Sequence, residues 1–176
     1  MRTNLATQKN IPHSKALATG EDDYFLNHLI PMIDNAEKLD IVVAFTLRSG
    51  IKLIIEHLRD FLNRNGKIRF LTGDYFYTTE PEALRYLLDL QNQAENGQTE
   101  FRIFEAKETS FHPKTYISYF QNNNGTAYVG SSNLSRLALT EGIEWNYRID
   151  RLKNNSGFSD ITHGFEVLFR HENTKV

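Results

Sequence analysis

A chain of 176 residues, 40% hydrophobic and 24% charged, can bury one sizeable core and favours a single domain. It contains no cysteine, which excludes disulfide frameworks, thiolate metal sites and a cysteine nucleophile. The formal net charge of −2 argues against coating nucleic acid by bulk charge, and no apolar run is long enough to span a membrane, so a soluble, cytoplasmic α/β domain is expected.

The organisation expected is a basic N-terminal arm over residues 1–20, carrying Arg2, Lys9 and Lys15 without an acid, and one domain over 21–176. Leu26, Leu29, Ile30 and Ile33 share one helical face, with Pro31 expected to kink or interrupt that helix. Residues 40–46 read as a fully buried strand. Ser49 then suggests an N-cap for a helix presenting Ile51, Ile54, Ile55, Leu58, Phe61 and Leu62, closed by Asn65-Gly66. The next strand spans 67–72 and turns at Gly73-Asp74. Thr79, Pro81 and Glu82 resemble a capping box with proline in the first turn, opening a helix through Leu84, Leu87 and Leu88. Helices alternating with strands in this half predict parallel pairing.

Strands are predicted over 99–105, 114–120, 126–130 and 142–150, with a hairpin turn at Asn122–Gly125. A short helix is expected after Asn133, and a last helix carries Ile161, Phe165, Leu168 and Phe169. The fold class is therefore α/β: a mixed sheet flanked by helices on both faces. Basic residues between Arg48 and Arg69 could meet phosphates, although such runs are more often solvated faces. Asp74–Tyr77 could line a cleft, or pack a loop over the core.

Three segments carry possible chemistry: Phe111–Tyr116, Gly130–Asn133 and Glu141–Asn146. In a strand, His112 and Lys114 would project to one face, and Pro113 would leave the strand start unpaired or at an edge. Ser131, Ser132 and Asn133 between a strand and a helix could offer backbone N–H groups to a phosphate, although Asn133 could equally be a plain N-cap.

In this order, His112-x-Lys114 followed by Gly130-Ser131-Ser132-Asn133 resembles the HKD signature of the phospholipase D superfamily. The likeness extends to small nuclease domains in metal-independent restriction endonucleases and at the N-termini of helicase-like proteins. It departs at one point: the family's motif has an Asp beyond the Lys, and residues 115–120 hold no acid. In the restriction-nuclease branch a Glu after the G-S-x-N segment takes that part, and Glu144 stands in the matching place, with Glu141 the weaker candidate.

The resemblance implies a phosphodiesterase acting on DNA, or another nucleic acid, without cofactor or metal. His112, Lys114, Asn133 and Glu144 would be catalytic, and Lys114, Ser131, Ser132 and Asn133 would bind phosphate. One H-x-K implies that the second comes from another chain, hence a homodimer, and the resemblance also allows a downstream helicase or DNA-recognition domain as a partner. Two alternatives are a weakly active or inactive nucleic-acid-binding and dimerising module, and a phospholipid hydrolase; no amphipathic membrane face supports the latter. The histidines show no zinc-protease spacing, and neither G-x-S-x-G nor a P-loop is present.

Overall fold

A computed structural model describes residues 15–74, 77–95, 97–107 and 109–176. Its elements in chain order are β1 (Leu17–Ala18), α1 (Leu26–Asn35), β2 (Lys38–Val43), α2 (Arg48–Asn63), β3 (Lys67–Gly73), α3 (Pro81–Gln93) and β4 (Thr99–Phe104). They continue with β5 (Lys114–Tyr119), β6 (Gly125–Gly130), α4 (Arg136–Thr140), β7 (Asn146–Asp150), α5 (Asn155–Phe169) and β8 (Thr174–Lys175).

The strands form one sheet of eight in the order β1-β7-β6-β5-β2-β3-β4-β8. β2, β3 and β4 run parallel, as the alternation with helices predicts, and the remaining pairs are antiparallel. Alternation along each strand divides the core in two. Leu39, Ile41, Ile68, Phe70, Tyr116 and Tyr128 pack with α1, α2 and α3, whereas Val42, Leu71, Ile117, Ala127 and Ile149 pack with Phe158, Phe165 and Phe169 of α5. Helices therefore cover both faces.

The apolar stripe of α2 is buried as its spacing predicts. The hairpin between β5 and β6 turns through Asn122 and Asn123, both in the left-handed region at φ 58° and 60°. Pro31 does not end α1: Leu29, Met32 and Ile33 around it are buried, and packing outweighs the missing N–H. Ser49 is not the cap of α2, which starts at Arg48 after Leu47. Instead Glu80 accepts the Arg48 N–H at 2.6 Å, setting a carboxylate at the helix N-terminus.

The capping box is also absent. Glu80 is the N-cap of α3 but its side chain caps nothing in that helix, and Thr79 instead donates to the Gly73 carbonyl at 2.6 Å and accepts the Thr46 N–H at 3.2 Å. The strand 142–150 is shorter than expected and begins at Asn146. β1 and β8, two residues each, lie at the sheet's edges and carry too little pattern to be read from sequence. Leu17–Ala18 tie the end of the basic segment to β7, while Arg2 and Lys9 lie outside the described residues.

Candidate active site at the strand ends

β5 enters the sheet antiparallel beside β2, so its first residue, Lys114, lies opposite Val43, the last residue of β2. Thr115 pairs with Val129, and Gly130 pairs with Asn146 at the start of β7. Lys114, Gly130 and Asn146 thus line up at the carboxyl ends of the parallel strands, the end where open α/β sheets bind ligands. Gly130 is a packing requirement, because a Cβ there would fall 2.1 Å from the Trp145 carbonyl oxygen. Pro113 stands just before the ladder, so β5 is a central strand that begins where its proline ends.

The segment after Gly130 crosses to β2 and locks there. Asn133 Oδ1 accepts the Phe45 N–H at 3.2 Å, and the Leu134 carbonyl accepts the Leu47 N–H at 2.9 Å. Gly50 admits this approach, since a Cβ would sit 2.3 Å from the Leu134 oxygen. The short helix after Asn133 does form, as α4, but Ser135 caps it by accepting the Ala138 N–H at 3.2 Å. The picture of Asn133 as its cap is therefore corrected: its carboxamide serves the segment that follows β2, 88 residues away in sequence.

The two serines behave differently. Ser131 is exposed, donates its hydroxyl to the Glu144 carboxylate, and accepts the Trp145 N–H at 3.1 Å. Ser132 is fully buried. Its hydroxyl donates to the Ala138 carbonyl at 3.3 Å and accepts from Asn146 Nδ2 at 2.8 Å, while its own carbonyl accepts from the Tyr116 hydroxyl at 3.0 Å. A side chain with no accessible surface cannot reach a phosphate, so the expected binding role of Ser132 gives way to one of holding the loop. Asn146 and Tyr116 are the residues that sequence reasoning left without a role. The available signal was Tyr116 two residues beyond Lys114 on the same strand face.

His112 is exposed and precedes β5, so strand alternation does not govern where it projects. Its carbonyl accepts from Lys114 Nζ at 2.7 Å. Desolvation lowers the Lys114 pKa below the ordinary lysine value, and the nearby Glu144 carboxylate partly opposes that shift. Burial raises the Tyr116 hydroxyl pKa, with Glu144 adding to the effect. The structure thus gathers Lys114, Ser131 and Glu144, supported by Ser132, Asn133, Asn146 and Tyr116. Glu144 lies just ahead of β7 rather than inside a strand.

The basic run from Arg48 to Arg69 does not form one patch. Arg69 binds Asp40 on the α5 side, Arg64 donates to the Ile33 and Asp34 carbonyls, and Arg59 pairs with Glu56. Tyr77 is 96% exposed and packs on no core, and Tyr75 and Phe76 lie outside the described residues. Trp145, undecided from sequence, is also exposed. No described helix is long and apolar enough to cross a membrane.

A mixed sheet with this loop at its strand ends defines a phospholipase D-like class of domain. The profile of the family described as "cardiolipin synthase, PLD-like domain" matches residues 29–169, and the chain belongs to this PLD-like family. No curated protein sequence matches the chain. NucT from Helicobacter pylori has a similar fold, at a TM-score of 0.60 and 16% identity over 85% of this chain and 88% of its own. Phosphatidylserine synthase from Haemophilus influenzae is similar at 0.62 and 14%, over 90% of this chain and 38% of its own. The archaeal chromatin protein TrmBL2 is similar at 0.56 and 14%, over 91% of this chain and 54% of its own.

Proposed function

We propose that this chain is a metal-independent nuclease that hydrolyses DNA phosphodiester bonds through a phosphohistidine intermediate. The observation that carries this reading is a desolvated Lys114 ammonium beside His112, facing Glu144, at an open sheet end. An ammonium that has lost part of its hydration gains most from a phosphate oxygen. A neutral His112 nitrogen attacks phosphorus; the P–N bond forms as the P–O bond to the leaving oxygen breaks. Lys114 and Ser131 hold the non-bridging oxygens, Asn133 keeps the loop against β2, and Glu144 stabilises the charged imidazole.

The leaving oxygen takes its proton from a second imidazole, which afterwards accepts a proton from the water that cleaves the P–N bond. Of the other described histidines, His163 lies exposed on α5 and the remaining three have partners elsewhere. His28 Nε2 is 2.6 Å from Asp23, His57 Nδ1 is 2.7 Å from Asp34, and His171 Nδ1 accepts the Asn173 N–H at 3.1 Å. In this reading the second imidazole is His112 of another copy, in a homodimer with two-fold symmetry. DNA as substrate fits the DNA-binding chromatin protein among the structures alike in fold. A phospholipid is the second reading, because the family description and one structural neighbour name phospholipid synthases.

The test is cleavage of labelled DNA in excess EDTA, wild type beside His112→Ala, with phospholipid vesicles as a parallel substrate. Wild-type cleavage that falls at least about 10³-fold in the variant is expected, as for loss of a nucleophile. Cleavage unchanged by the substitution, or full activity from an obligate monomer, would overturn the mechanism. Hydrolysis of vesicles alone would select the phospholipid reading.

A further inference from the structure

α5 covers only part of its sheet face. Its phenylalanines bury Ala127 of β6 and Ile149 of β7. Two residues further toward the candidate site on the same strands, Val129 and Tyr147 are directly paired and are 40% and 54% exposed. The Ser131 N–H to Trp145 carbonyl bond carries the Gly130–Asn146 register one pair beyond β7, which sets Trp145, 63% exposed, on the same face, opposite the side on which Glu144 acts on Lys114 and Tyr116. Trp145 is bonded in both directions to Ser131: its N–H reaches the Ser131 hydroxyl at 3.1 Å, and its carbonyl accepts the Ser131 N–H at 3.0 Å. The Trp145 backbone is therefore anchored to Ser131, one residue from Glu144.

The surroundings of this stripe suit nucleic acid better than a protein. The exposed area of the three side chains is on the order of 300 Å², well below the roughly 800 Å² per partner of a stable interface. Leu17 pairs with Tyr147, and the Ala16 carbonyl accepts the Arg148 N–H at 2.7 Å, so exposed Lys15 borders the stripe. Aromatic faces between one cation and a phosphate-binding end match a single strand, whose bases stack while its backbone follows positive charge. A paired duplex keeps its bases stacked on one another and offers them no such surface.

We propose that this face takes unpaired nucleobases: the phosphate sits at Lys114 and Ser131 while flanking bases stack on Trp145 and Tyr147. The preferred substrate is then nucleic acid that is single-stranded beside the scissile bond. This inference rests on the nuclease reading and adds the substrate class.

Trp145 is the only tryptophan in the chain, so its fluorescence reports on this face alone. The full chain is titrated with a mixed-sequence single-stranded DNA oligonucleotide and with the same sequence as a blunt duplex, in wild type and His112→Ala. Binding and cleavage of both DNAs are measured alongside, with the oligomeric state followed by light scattering. The single strand is expected to quench Trp145 strongly and the duplex little. Tyr147→Ala and Trp145→Ala should each weaken single-strand binding roughly 5- to 150-fold, the range for one lost stacking contact, while Trp145→Phe keeps near-wild-type binding. Equal quenching by duplex, or alanine variants of native circular dichroism that bind the single strand unchanged, would overturn the inference. So would a Trp145→Ala variant that turns a dimer into a monomer, which would assign the stripe to a second copy. Quenching without any cleavage would keep the base platform and sink the nuclease reading. Cleavage that depends on His112 without quenching would do the reverse.

Discussion

Two polar clusters hang from the same central strands, and they are built in opposite ways. On the α5 side, Asp40 of β2 is completely buried and fully partnered: Arg69 grips it through Nε and Nη2 at 2.7 Å each, the Tyr119 hydroxyl donates at 2.8 Å, and Lys38 lies at 3.2 Å. Arg69 also reaches Glu166 of α5 at 2.6 Å and lies over the rings of Phe165 and Phe169. Burial alone would lower the Arg69 pKa, but Asp40 and Glu166 outweigh it and the net shift is upward. Burial and then Asp40 raise that of Tyr119.

At the strand ends, by contrast, burial lowers the Lys114 pKa and only Glu144 opposes it. The closed cluster has its charges matched and joins α5 to the sheet. The open cluster holds an ammonium that the protein alone solvates incompletely. A group held at a cost to the fold is more informative about function than one that is fully satisfied.

The largest effect that would break this contrast is on stability. Asp40→Ala leaves Arg69 and Tyr119 desolvated without their main partner and is expected to cost about 3–5 kcal/mol. Chemical denaturation checks it; a loss below 1 kcal/mol would remove the distinction between the clusters. Next comes Asn133→Ala, which strips the Phe45 N–H of its acceptor. A loss of about 1–3 kcal/mol is expected, with activity falling about 100-fold as the loop shifts, read from Tm and single-turnover rates.

The smallest effects concern Lys114. Its folded pKa lies below the unfolded value of 10.5, so the unfolded chain binds the extra proton between those two values. Stability should therefore rise with pH through that window, and Lys114→Met should abolish activity while raising Tm slightly at neutral pH. If the protonated Lys114 is needed, the alkaline limb of the pH–rate profile lies below 10.5. Glu144→Gln removes the carboxylate that raises this pKa and should move the limb to still lower pH. A limb that moves upward would contradict the contact.

Several features were legible because they are local. The faces of α2 and α5, the buried runs of β2 and β3, and the hairpin through Asn122 and Asn123 each follow from periodicity or turn chemistry within a few residues. The order of His112, Lys114 and the Gly130–Asn133 segment was legible for the same reason. Helix starts were read less well. Ser49, Thr79 and Asn133 are all suitable caps by composition, yet each accepts across the fold, from the N–H of Arg136, of Thr46 and of Phe45. A short polar side chain has no preference between a near N–H and a distant one until packing brings one of them close.

What the sequence by itself determined is therefore the set of longer elements, all but the two-residue edge strands, and the residue types at their ends, since both depend on the nearest few neighbours. Only the tertiary structure decided that β5 lies antiparallel beside β2. That one pairing sets Lys114 against Val43, carries the Gly130–Leu134 segment across to Phe45 and Leu47, and turns Ser132 inward while Ser131 faces Glu144. The physical reason is that strand pairing is non-local: its register depends on which buried faces match across the whole sheet. The same pairing separates Asp40 from Lys114, placing one beneath α5 and the other at the open end.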